Sequence, residues 1–569
     1  MREHRKRGIR MKLHRRSRLA EMTITILIAA VLIMSAAACT DTAFDENTEK
    51  GTVENTEKET VFPAETQAHG FREESGKTIS VYCLGPDGIT IWDYTQNETV
   101  QRLEERYGVK FSFFHPIWEN SSKELEEMFR KGDYCDIIYL NGTASGQETY
   151  KGGAGAAVSD GVFWDLTDYV QLYMPNYCKW IHSDEELLRM AYDDDGRICG
   201  LQVLLYDAVE QEVTESMAVG GLMVRGDWLD ASGLDAPVTY QDWEEMLTVF
   251  RDKYGCSQPL YISGKGYSTA SPGFSSGLGA IPIMQMKGGT VEYGPMTEGW
   301  RAYVALMHDW YEKGLIGSEY IANDKLFGID TDACISEETG AGLCVWSWVD
   351  GIEEAISQEA DFRAVQYPVT EEGQTAQGGD PVAAQGTRSI HITTAVTKEE
   401  LPGLLSMLDD FYDADMAFEL AYGTEGDTYT RDGDGKPEFT DKILCNEGGF
   451  SASVAMDTYL MPVNLMPLRD WSRELNGISE ENLEMCRIWD RDGHDLYVPP
   501  VTLSTAEQEI YDIIMKDVED YVEEMTNKMI VGAVDIESAW DMYVRTLQDM
   551  GIEEAVAAYQ AAYNRYVHR

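Results

Sequence analysis

The sequence has 569 residues, 43% of them hydrophobic, so it is long enough to form more than one domain around separate apolar cores. It contains 99 acidic and 46 basic residues, which gives a formal net charge of −53. Because nucleic-acid phosphates need a basic surface, this charge excludes DNA and RNA as partners. The acidity is explained by a solvated surface that keeps the protein soluble through self-repulsion.

The amino terminus has the order of segments that is typical of a secretory signal. Nine Lys and Arg residues fall within the first twenty positions, and the stretch 22–38 is apolar and uncharged. The word AAAC that ends at Cys39 resembles a bacterial lipobox, in which the cysteine thiol is diacylated and the signal is cleaved before it. Residues 1–38 are therefore predicted to be a signal peptide, with Cys39 as the lipid-anchored first residue. Plain secretion and an uncleaved membrane anchor are the alternatives, since 17 apolar residues are at the lower limit for a span.

The segment 39–76 is predicted to be a disordered acidic tether. Its residues are mainly Glu, Thr and Asn, and the word ENTEK occurs at 46–50 and again at 54–58. A segment with so few apolar side chains cannot recover its ordering entropy by burial. The tether would connect the lipid anchor to a folded region that begins near residue 77.

An α/β unit begins at 78–85, where apolar and polar residues alternate as in a β-strand. Asn97 is predicted to cap a helix, a second alternating strand follows at 109–115, and a continuous apolar strand follows at 135–142. This succession is typical of a parallel sheet that is covered on both faces. Because ligands of such sheets bind beyond the carboxyl ends of the strands, the loops after the first and third strands are predicted to line a site.

A second α/β unit is predicted to begin at 220–234, and its long helix begins at a capping box formed by Thr239 and Asp242. The carboxyl end of the chain has helical periodicity. A capping box at Ser504 and Glu507 begins the first of its helices, and further helices follow. The sequence thus indicates two α/β units followed by a helical region.

Seven segments occur in an order that is familiar from one protein family. They are GDYCDIIYLNG, FWDLTDYVQLYMPNY, DDDGRICGLQV, LMVRGDWLDASGLDAPVTYQDWEEML, WYEKGLIGSEY, AYGTEGDTYTRDGDGKPEFTD and IVGAVDIESAWDMYVRTLQDMGIEEAVAAYQAAYNRY. Together they resemble the family-1 extracellular solute-binding lipoproteins of bacterial ABC transporters, within the aldouronate- and alginate-binding-like subgroup. The resemblance covers about residues 77–569. It departs from the family at Cys135 and Gln202, where prolines are common, and at 250–264, which lacks the oxygen ligands of a calcium loop found in some relatives.

The resemblance implies an α/β, two-lobe, type II periplasmic-binding-protein-like fold with hinge strands and a helical C-terminal region. Residues 77–210 and about 370–415 are expected to form the first lobe, and 211–369 and 416–569 the second. The implied function is capture of an oligosaccharide between the lobes and its delivery to ABC permease subunits, with uronate-containing sugars among the candidates. A binding protein of this kind is expected to be a monomer on the outer face of the cell membrane, without enzymatic activity or a cofactor.

Candidate ligand contacts are aromatic and polar side chains, because sugar sites combine aromatic platforms with a few polar groups. They are Trp92, Asp93, Asn141, Thr143, Tyr206, Asp207, Arg225, Trp346, Trp348 and Arg388. Trp92, Asp93, Asn141 and Thr143 follow predicted strands, and Tyr206 and Asp207 lie near the first expected crossing between the lobes. Trp346 and Trp348 are assigned to the end of a strand, where a spacing of two places both side chains on one face. Arg225 and Arg388 are candidates for binding a uronate carboxylate through two parallel hydrogen bonds, and a structural pairing with an acid is the alternative for Arg225.

Several segments match enzyme or metal-binding motifs, but the surrounding sequence lacks the features that those motifs require. GFSSG around Ser275 matches GxSxG without the buried strand and the helix that a nucleophile elbow needs. The acidic words that begin at Asp432 and Asp490 have Ile443 and Val501 where a calcium loop needs Glu, so no metal site is predicted. A surface-anchored glycan-active enzyme is the main functional alternative, because so many acids allow a pair of catalytic carboxylates, and a glycan-holding lipoprotein without a transporter is the second.

Overall fold

The computed structural model describes residues 77–569 with short gaps. The gaps are 87, 118–119, 142–149, 215–217, 219, 263, 265–272, 324–328, 358, 380–384, 447 and 477. The predicted signal peptide, Cys39 and the predicted tether therefore lie outside the described residues. Within the described part, none of the helices has the length and apolar character that a membrane crossing requires.

Strands and helices alternate through most of the described chain. The strands are β1 Lys77–Tyr82, β2 Val109–Phe114, β3 Ile137–Asn141, β4 Leu201–Asp207, β5 Glu212–Val213, β6 Gly220–Arg225, β7 Met284–Lys287, β8 Thr290–Tyr293, β9 Ala341–Val345, β10 Phe362–Val365, β11 Gln385–Ile392, β12 Tyr429–Arg431, β13 Pro437–Phe439 and β14 Leu468–Asp470. The helices are α1 Glu98–Tyr107, α2 Ser121–Lys131, α3 Gly153–Ser159, α4 Thr167–Tyr173, α5 Pro175–Ile181, α6 Glu185–Ala191, α7 Gly226–Ser232, α8 Tyr240–Tyr254, α9 Glu298–Glu312, α10 Thr331–Ile335, α11 Trp346–Ile356, α12 Leu401–Asp410, α13 Ala414–Tyr422, α14 Asp441–Leu444, α15 Ala452–Tyr459, α16 Trp471–Leu475, α17 Glu480–Trp489, α18 Thr505–Ile530, α19 Ile536–Asp549 and α20 Ile552–Tyr566.

The first lobe is built on one large sheet with the strand order β14-β4-β11-β3-β1-β2, and β5 pairs with β4. Strands β14, β4, β3, β1 and β2 run in the same direction, whereas β11 is antiparallel to both of its neighbours. Helices cover the sheet, as the predicted βαβ order requires. Their apolar faces form one core with the sheet, which includes Ile79, Leu204, Ile390 and Leu468.

The second lobe contains an antiparallel sheet with the order β10-β6-β9 and a surrounding set of helices. Its largest core joins Trp243 of α8 and Trp310 of α9 to the C-terminal helices, through side chains such as Val518 and Leu547. A smaller core on the other side of the sheet contains Trp489 of α17. The predicted helical end of the chain is thus part of the second lobe.

The chain passes between the lobes three times among the described elements: after Val213, after Gly379 and after Leu475. The last of these crossings corrects the predicted boundary at residue 416. Residues 414–475 belong to the first lobe, because α13 packs in its core and β14 pairs with β4. The second lobe comprises 220–379 and 480–569.

Local signals that were read from the sequence are confirmed at the helix starts. Asn97 accepts a hydrogen bond from the backbone N–H of Val100, and reciprocal capping boxes form at Thr239 and Ser504. The nine described cysteines are free thiols; seven are buried, Cys135 is half-buried and Cys445 is exposed. Burial is the role expected for a cysteine that behaves as a small apolar residue.

Candidate functional site

The candidate site lies at one edge of the first sheet. The carboxyl ends of the parallel strands meet at this edge, and so does the beginning of the antiparallel strand β11. Arg388 of β11 lies opposite Asn141 of β3, and Tyr206 of β4 lies opposite Asp470 of β14. Topology therefore brings together residues as far apart in the chain as Asn141 and Asp470, which are 329 positions apart. Thr143 lies outside the described residues.

Trp92 and Asp93 follow β1 at this edge and have different environments. The Trp92 side chain is 75% exposed, and its ring lies against Gly88. Asp93 caps a short 3₁₀ helix, accepting hydrogen bonds from the N–H and hydroxyl of Thr95 at 2.8 and 2.6 Å, and it lies 3.6 Å from His115 Nε2. Asp93 thus fixes the loop that presents the Trp92 ring.

Tyr206 and Asp207 end β4 beside the first crossing between the lobes. Tyr206 is fully buried with its ring edge-on to Trp180 at 5.3 Å, and its hydroxyl has no hydrogen-bond partner among the described residues. Asp207 accepts hydrogen bonds from the N–H groups of Val209 and Glu210, which fixes the turn before β5. Asp207 therefore stabilises the turn that precedes the first crossing between the lobes.

Asp470, which the sequence reading missed, is a fully buried carboxyl group next to Tyr206. Its Oδ1 accepts hydrogen bonds from Ala208 N at 3.2 Å, Ser472 N at 3.0 Å and Ser472 Oγ at 2.7 Å. Its Oδ2 has no hydrogen-bond partner within the described part of the chain. Burial raises the pKa of Asp470 to about 6, despite the hydrogen bonds that favour its charged form. The site therefore contains a carboxylate oxygen that is ready to accept a hydrogen bond.

A tryptophan from each lobe completes the site. Trp471 begins α16 directly after β14 of the first sheet, and Trp346 begins α11 directly after β9 of the second. Trp346 packs against Trp471, so the two side chains meet across the space between the lobes. The indole Nε1 of Trp471 is buried without a hydrogen-bond partner among the described residues. The pair therefore places two aromatic rings in contact between the lobes, with a polar group at the edge that has no hydrogen-bond partner among the described residues.

Trp348 does not share a face with Trp346, which corrects the prediction from spacing. The strand ends at Val345, and both tryptophans lie in the first turn of helix α11. Each residue of an α-helix advances by about 100°, so two positions turn a side chain almost to the opposite face. Trp348 accordingly packs in the smaller core of the second lobe, whereas Trp346 also reaches Trp471.

Arg225 is a structural arginine. Its Nε and Nη2 donate hydrogen bonds to the two carboxylate oxygens of Asp227 at 2.7 and 2.6 Å. The guanidinium also lies over the rings of Trp228 and Phe362, at 4.1 and 5.5 Å from their centres. These contacts account for its burial, and we exclude Arg225 from the site.

Arg388 lies at the site edge together with Arg469, a residue that the sequence reading also missed. Both side chains are buried, with 6% and 3% exposure. Burial lowers the pKa of the Arg388 guanidinium, the positive charge of Arg469 lowers it further, and Glu474 acts in the opposite direction. Burial likewise lowers the pKa of Arg469, whose guanidinium is 5.8 Å from the centre of the Trp471 ring. Two arginine side chains are thus buried at this edge of the sheet, and Arg469 contacts the Trp471 ring.

One signal in the sequence could have identified Arg469, Asp470 and Trp471. The segment LRDW at 468–471 contains an apolar residue, Arg, Asp and Trp where a strand passes into a helix. The segment VRGDW at 224–228 contains the same residue types at the same kind of junction in the second lobe. The second word was recognised from its family context, whereas the first lies after a region without clear periodicity. The repeated pattern indicates a strand end in both places.

The motifs that were rejected from the sequence have structural roles. Ser275 is fully buried. Asp432 accepts hydrogen bonds from the N–H groups of Asp434 and Lys436 and so forms the turn of the β12–β13 hairpin. Among the described residues, no group of three or more His, Cys, Asp or Glu side chains is arranged to hold a metal ion.

Comparisons with known proteins identify relatives of low sequence identity. No family model matches the chain. The polygalacturonan/rhamnogalacturonan-binding protein YtcQ of Bacillus subtilis is 22% identical over 425 residues, which are 72% of this chain and 78% of YtcQ. Lipoprotein LipO of the same organism is 22% identical over 286 residues, which are 48% of this chain. The match spans about half, 53%, of the length of LipO.

Solved structures match nearly all of the described chain. The alginate-binding protein AlgQ2 without calcium superposes with a TM-score of 0.63 and 17% identity, covering 87% of this chain and 99% of AlgQ2. The substrate-binding protein FusA of S. pneumoniae in complex with kestose superposes with a TM-score of 0.64 and 16% identity, covering 87% and 100%. The fold of this chain is therefore the two-lobe α/β fold of the solute-binding proteins of ABC transporters, as the sequence resemblance predicts.

Proposed function

We propose that this protein captures an oligosaccharide between its two lobes and delivers it to the permease of an ABC importer. The observation that carries the proposal is the contact between Trp346 and Trp471, which belong to different lobes. Sugar rings have apolar faces that stack on aromatic side chains, so a ligand that enters between these two rings while the lobes are apart would contact both lobes when they close. Binding then couples to hinge closure, because the closed arrangement gains contacts that the open one lacks.

The polar groups around the pair suit sugar hydroxyls. Asp470 Oδ2 accepts hydrogen bonds, Trp471 Nε1 donates them and the Tyr206 hydroxyl can do either, and each is buried without a partner among the described residues. Ligand hydroxyls would satisfy these groups, whose burial otherwise costs free energy. Trp92 at the exposed rim would extend the surface for a longer chain.

The names of similar proteins support the same class of ligand. YtcQ is named for binding polygalacturonan and rhamnogalacturonan, and FusA is named as the substrate-binding protein of a fructooligosaccharide ABC transporter. These are binding proteins for oligosaccharides or polysaccharides, and we extend that class to this chain. The ligand would leave unaltered, because the proposed role requires capture and release only.

The proposed location follows from the amino-terminal segment. Cleavage before Cys39 and diacylation of its thiol would hold the protein at the outer face of the cell membrane, where two acyl chains give stable anchoring. The segment 39–76 would then act as a tether that lets a monomeric binder reach its permease. The name of Lipoprotein LipO supports this assignment.

The proposal is tested by tryptophan fluorescence of the full chain in detergent against a panel of neutral and acidic oligosaccharides. We expect saturable binding of at least one member and full chromatographic recovery of that sugar after prolonged incubation. Cleaved or modified sugar would instead favour a glycan-active enzyme. Cells that lack the protein should also take up the labelled ligand more slowly than the parent, and unchanged uptake would favour a glycan-holding protein without a transporter.

A further inference from the structure

The carboxyl end of the chain, which belongs to the second lobe, carries a set of side chains that contact the first lobe. Arg565 and Arg569 each donate a hydrogen bond from Nε to Asp194, at 2.6 Å to Oδ2 and at 2.7 Å to Oδ1. Tyr566, between them in the sequence, donates a hydrogen bond from its hydroxyl to Glu186. Each carboxylate oxygen of Asp194 therefore accepts from a guanidinium group of the other lobe.

The same contact continues along the start of helix α18. Lys151 Nζ of the first lobe lies 2.9 Å from Glu509 Oε1, and Gly152 leaves no room for a side chain against Thr505. Met190 of α6 packs against the cores of both lobes. We call this set of contacts the carboxyl-terminal latch. Its charged and hydrogen-bonding members are Lys151, Glu186 and Asp194 of the first lobe and Glu509, Arg565, Tyr566 and Arg569 of the second.

The latch lies away from the crossings that form the hinge. Asp194 belongs to a turn closed by a hydrogen bond from Asp193 N to the carbonyl of Arg197, just before β4 begins. Strand β4 has seven residues, so about 20 Å separate this turn from Asp207, where the chain leaves towards the second lobe. A hinge rotation of about 15° would move groups at this distance by about 5 Å. Such a shift breaks ion pairs of this length, so the latch forms in one arrangement of the lobes only.

The charges of the latch oppose the general repulsion between the lobes. The chain has 99 acidic and 46 basic residues, so closure brings mainly like charges together. Arg565 and Arg569 present two positive charges to one carboxylate of the other lobe. The side chains of Asp194 and Arg569 are only 22% and 7% exposed, so salt screens their attraction less than that of fully exposed pairs. The latch therefore favours the closed arrangement.

Resting on the proposed function, we propose that the carboxyl-terminal latch stabilises the closed lobes and must open before the oligosaccharide leaves, so that it sets the affinity of a site that it does not contact. Asp194, Arg565 and Arg569 act as positioning residues in this account. A contact that raises the closed fraction raises the apparent affinity by the same factor. This contribution is independent of which sugar is bound.

Calorimetry of the full chain in detergent tests the proposal with the same panel of neutral and acidic oligosaccharides. We expect Asp194→Asn to bind the sugar at least about threefold more weakly than the unmodified protein does. Asp195→Asn is the matched control, because Asp195 is the next residue and pairs with Arg197 inside the first lobe at 2.9 Å. It should bind as the unmodified protein does. Lys151→Gln, at a side chain that is 52% exposed, should weaken binding in the same direction and serves if Asp194→Asn fails to fold.

Salt separates the latch from a purely structural role of Asp194. Raising the salt concentration from about 0.05 to about 0.5 M screens the latch pairs. The ratio of affinities between the unmodified protein and Asp194→Asn should therefore shrink towards one. Screening of the remaining acidic surface is common to both proteins and cancels in this ratio. Unchanged affinity in Asp194→Asn, or a loss of affinity that is equal at both salt concentrations, would overturn the inference and leave oligosaccharide binding intact.

Neutron scattering from the full chain in contrast-matched detergent gives a second measurement that needs no sugar. Without the latch the free lobes should separate, so Asp194→Asn should have a larger radius of gyration than the unmodified protein and the Asp195→Asn control. Failure of every sugar to bind would contradict the proposed function, and scattering would then decide the inference alone. A larger radius in Asp194→Asn would support a latch between the lobes, and an equal radius would overturn it.

Discussion

At the scale of single residues, Asp470 connects the hinge to the site. Its Oδ1 holds the N–H of Ala208, where the chain leaves β4 towards the second lobe, and its Oδ2 is buried without a partner in the described part of the protein. Burial raises the pKa of Asp470 to about 6, so the free protein binds a proton here at mildly acidic pH. A ligand hydroxyl that donates to Oδ2 would favour the charged carboxylate.

We therefore predict that ligand affinity falls as the pH is lowered through about 6, because bound ligand and bound proton compete for Asp470. The dissociation constant should be smaller at pH 8 than at pH 5, and Asp470→Asn should show a weaker pH dependence of binding. Calorimetry at several pH values measures both. An identical pH profile in the variant would show that Asp470 does not contact the ligand.

Asp492 carries a separate prediction about stability. Its carboxylate accepts hydrogen bonds from Tyr367 N at 3.0 Å and Gln366 Nε2 at 3.2 Å, and burial raises its pKa to about 7. In the unfolded chain an aspartate has a pKa near 4, so the folded protein binds the proton more tightly. This contribution to stability is complete below pH 4 and is lost as the pH rises to about 7.

Asp492→Asn removes this titration, because the amide is neutral at every pH and can still accept a hydrogen bond from Tyr367 N. We expect the free energy of unfolding of the variant to exceed that of the unmodified protein by about 2 kcal/mol at pH 8. The difference should shrink or reverse near pH 5. Urea unfolding at the two pH values tests this, and a constant difference between the proteins would contradict it.

At the scale of elements, helix α18 of the second lobe contacts the start of α3 in the first. A side chain on Gly152 would place its Cβ 2.1 Å from Thr505 Oγ1 and 3.0 Å from Thr505 Cα. Gly152 also has a φ of +83°, a conformation that glycine adopts without strain. Lys151 pairs with Glu509 at 2.9 Å in the same contact. The two elements are therefore in close backbone contact.

Gly152→Ala should destabilise the protein more than Gly161→Ala does. Gly161 has a similar φ of +74°, and a Cβ added there would have no atom within 4 Å, so its substitution costs only the backbone strain, about 1–2 kcal/mol. The Gly152 variant adds overpacking against Thr505, about a further 1–3 kcal/mol. Chemical unfolding of both variants measures the difference. Equal losses of unfolding free energy in the two variants would mean that the contact between α3 and α18 adjusts to the added methyl group at little cost.

Elements with local signals were predictable from the sequence. The helix starts at Asn97, Thr239 and Ser504 were predictable because an N-cap is a short-range hydrogen bond between neighbours in the chain. β14 was not, because a strand of three residues has no measurable alternation. It also pairs with β4, which lies more than 250 positions earlier. The assignment of 416–475 to the wrong lobe follows from missing this one pairing.

The site was partly predictable for a related reason. Tyr206 was predicted because it lies near the first expected crossing between the lobes, Arg388 because a guanidinium can bind a carboxylate, and Trp346 because it was assigned to the end of a strand. Trp348 was assigned to the face of Trp346 because the change from strand to helix at Val345 is not visible in the apolar word CVWSWV. Asp470 and Trp471 depend on long-range pairing, so only the structure brought them to the site.

At the scale of the whole molecule, two kinds of connection hold the lobes together. The three crossings form the hinge, and direct contacts are the second kind; besides those of α3 with α18 and of Trp346 with Trp471, the carboxyl end of the chain contacts the first lobe. Arg565 pairs with Asp194 of the first lobe and Glu507 of the second, both at 2.6 Å, and Arg569 pairs with Asp194 at 2.7 Å. These partly buried pairs join the two lobes near the carboxyl end of the chain, in addition to the hinge.

The central claim is that one oligosaccharide is bound by both lobes together, and calorimetric titration of Trp346→Ala and Trp471→Ala tests it most directly. The unmodified protein should bind one ligand per chain, and each variant should weaken binding at least about tenfold, because each removes one of two stacking surfaces. Ile513→Ala, at a side chain that is 76% exposed on α18, should bind as the unmodified protein does. Loss of affinity in only one of the two tryptophan variants, with both folded, would contradict capture between the lobes.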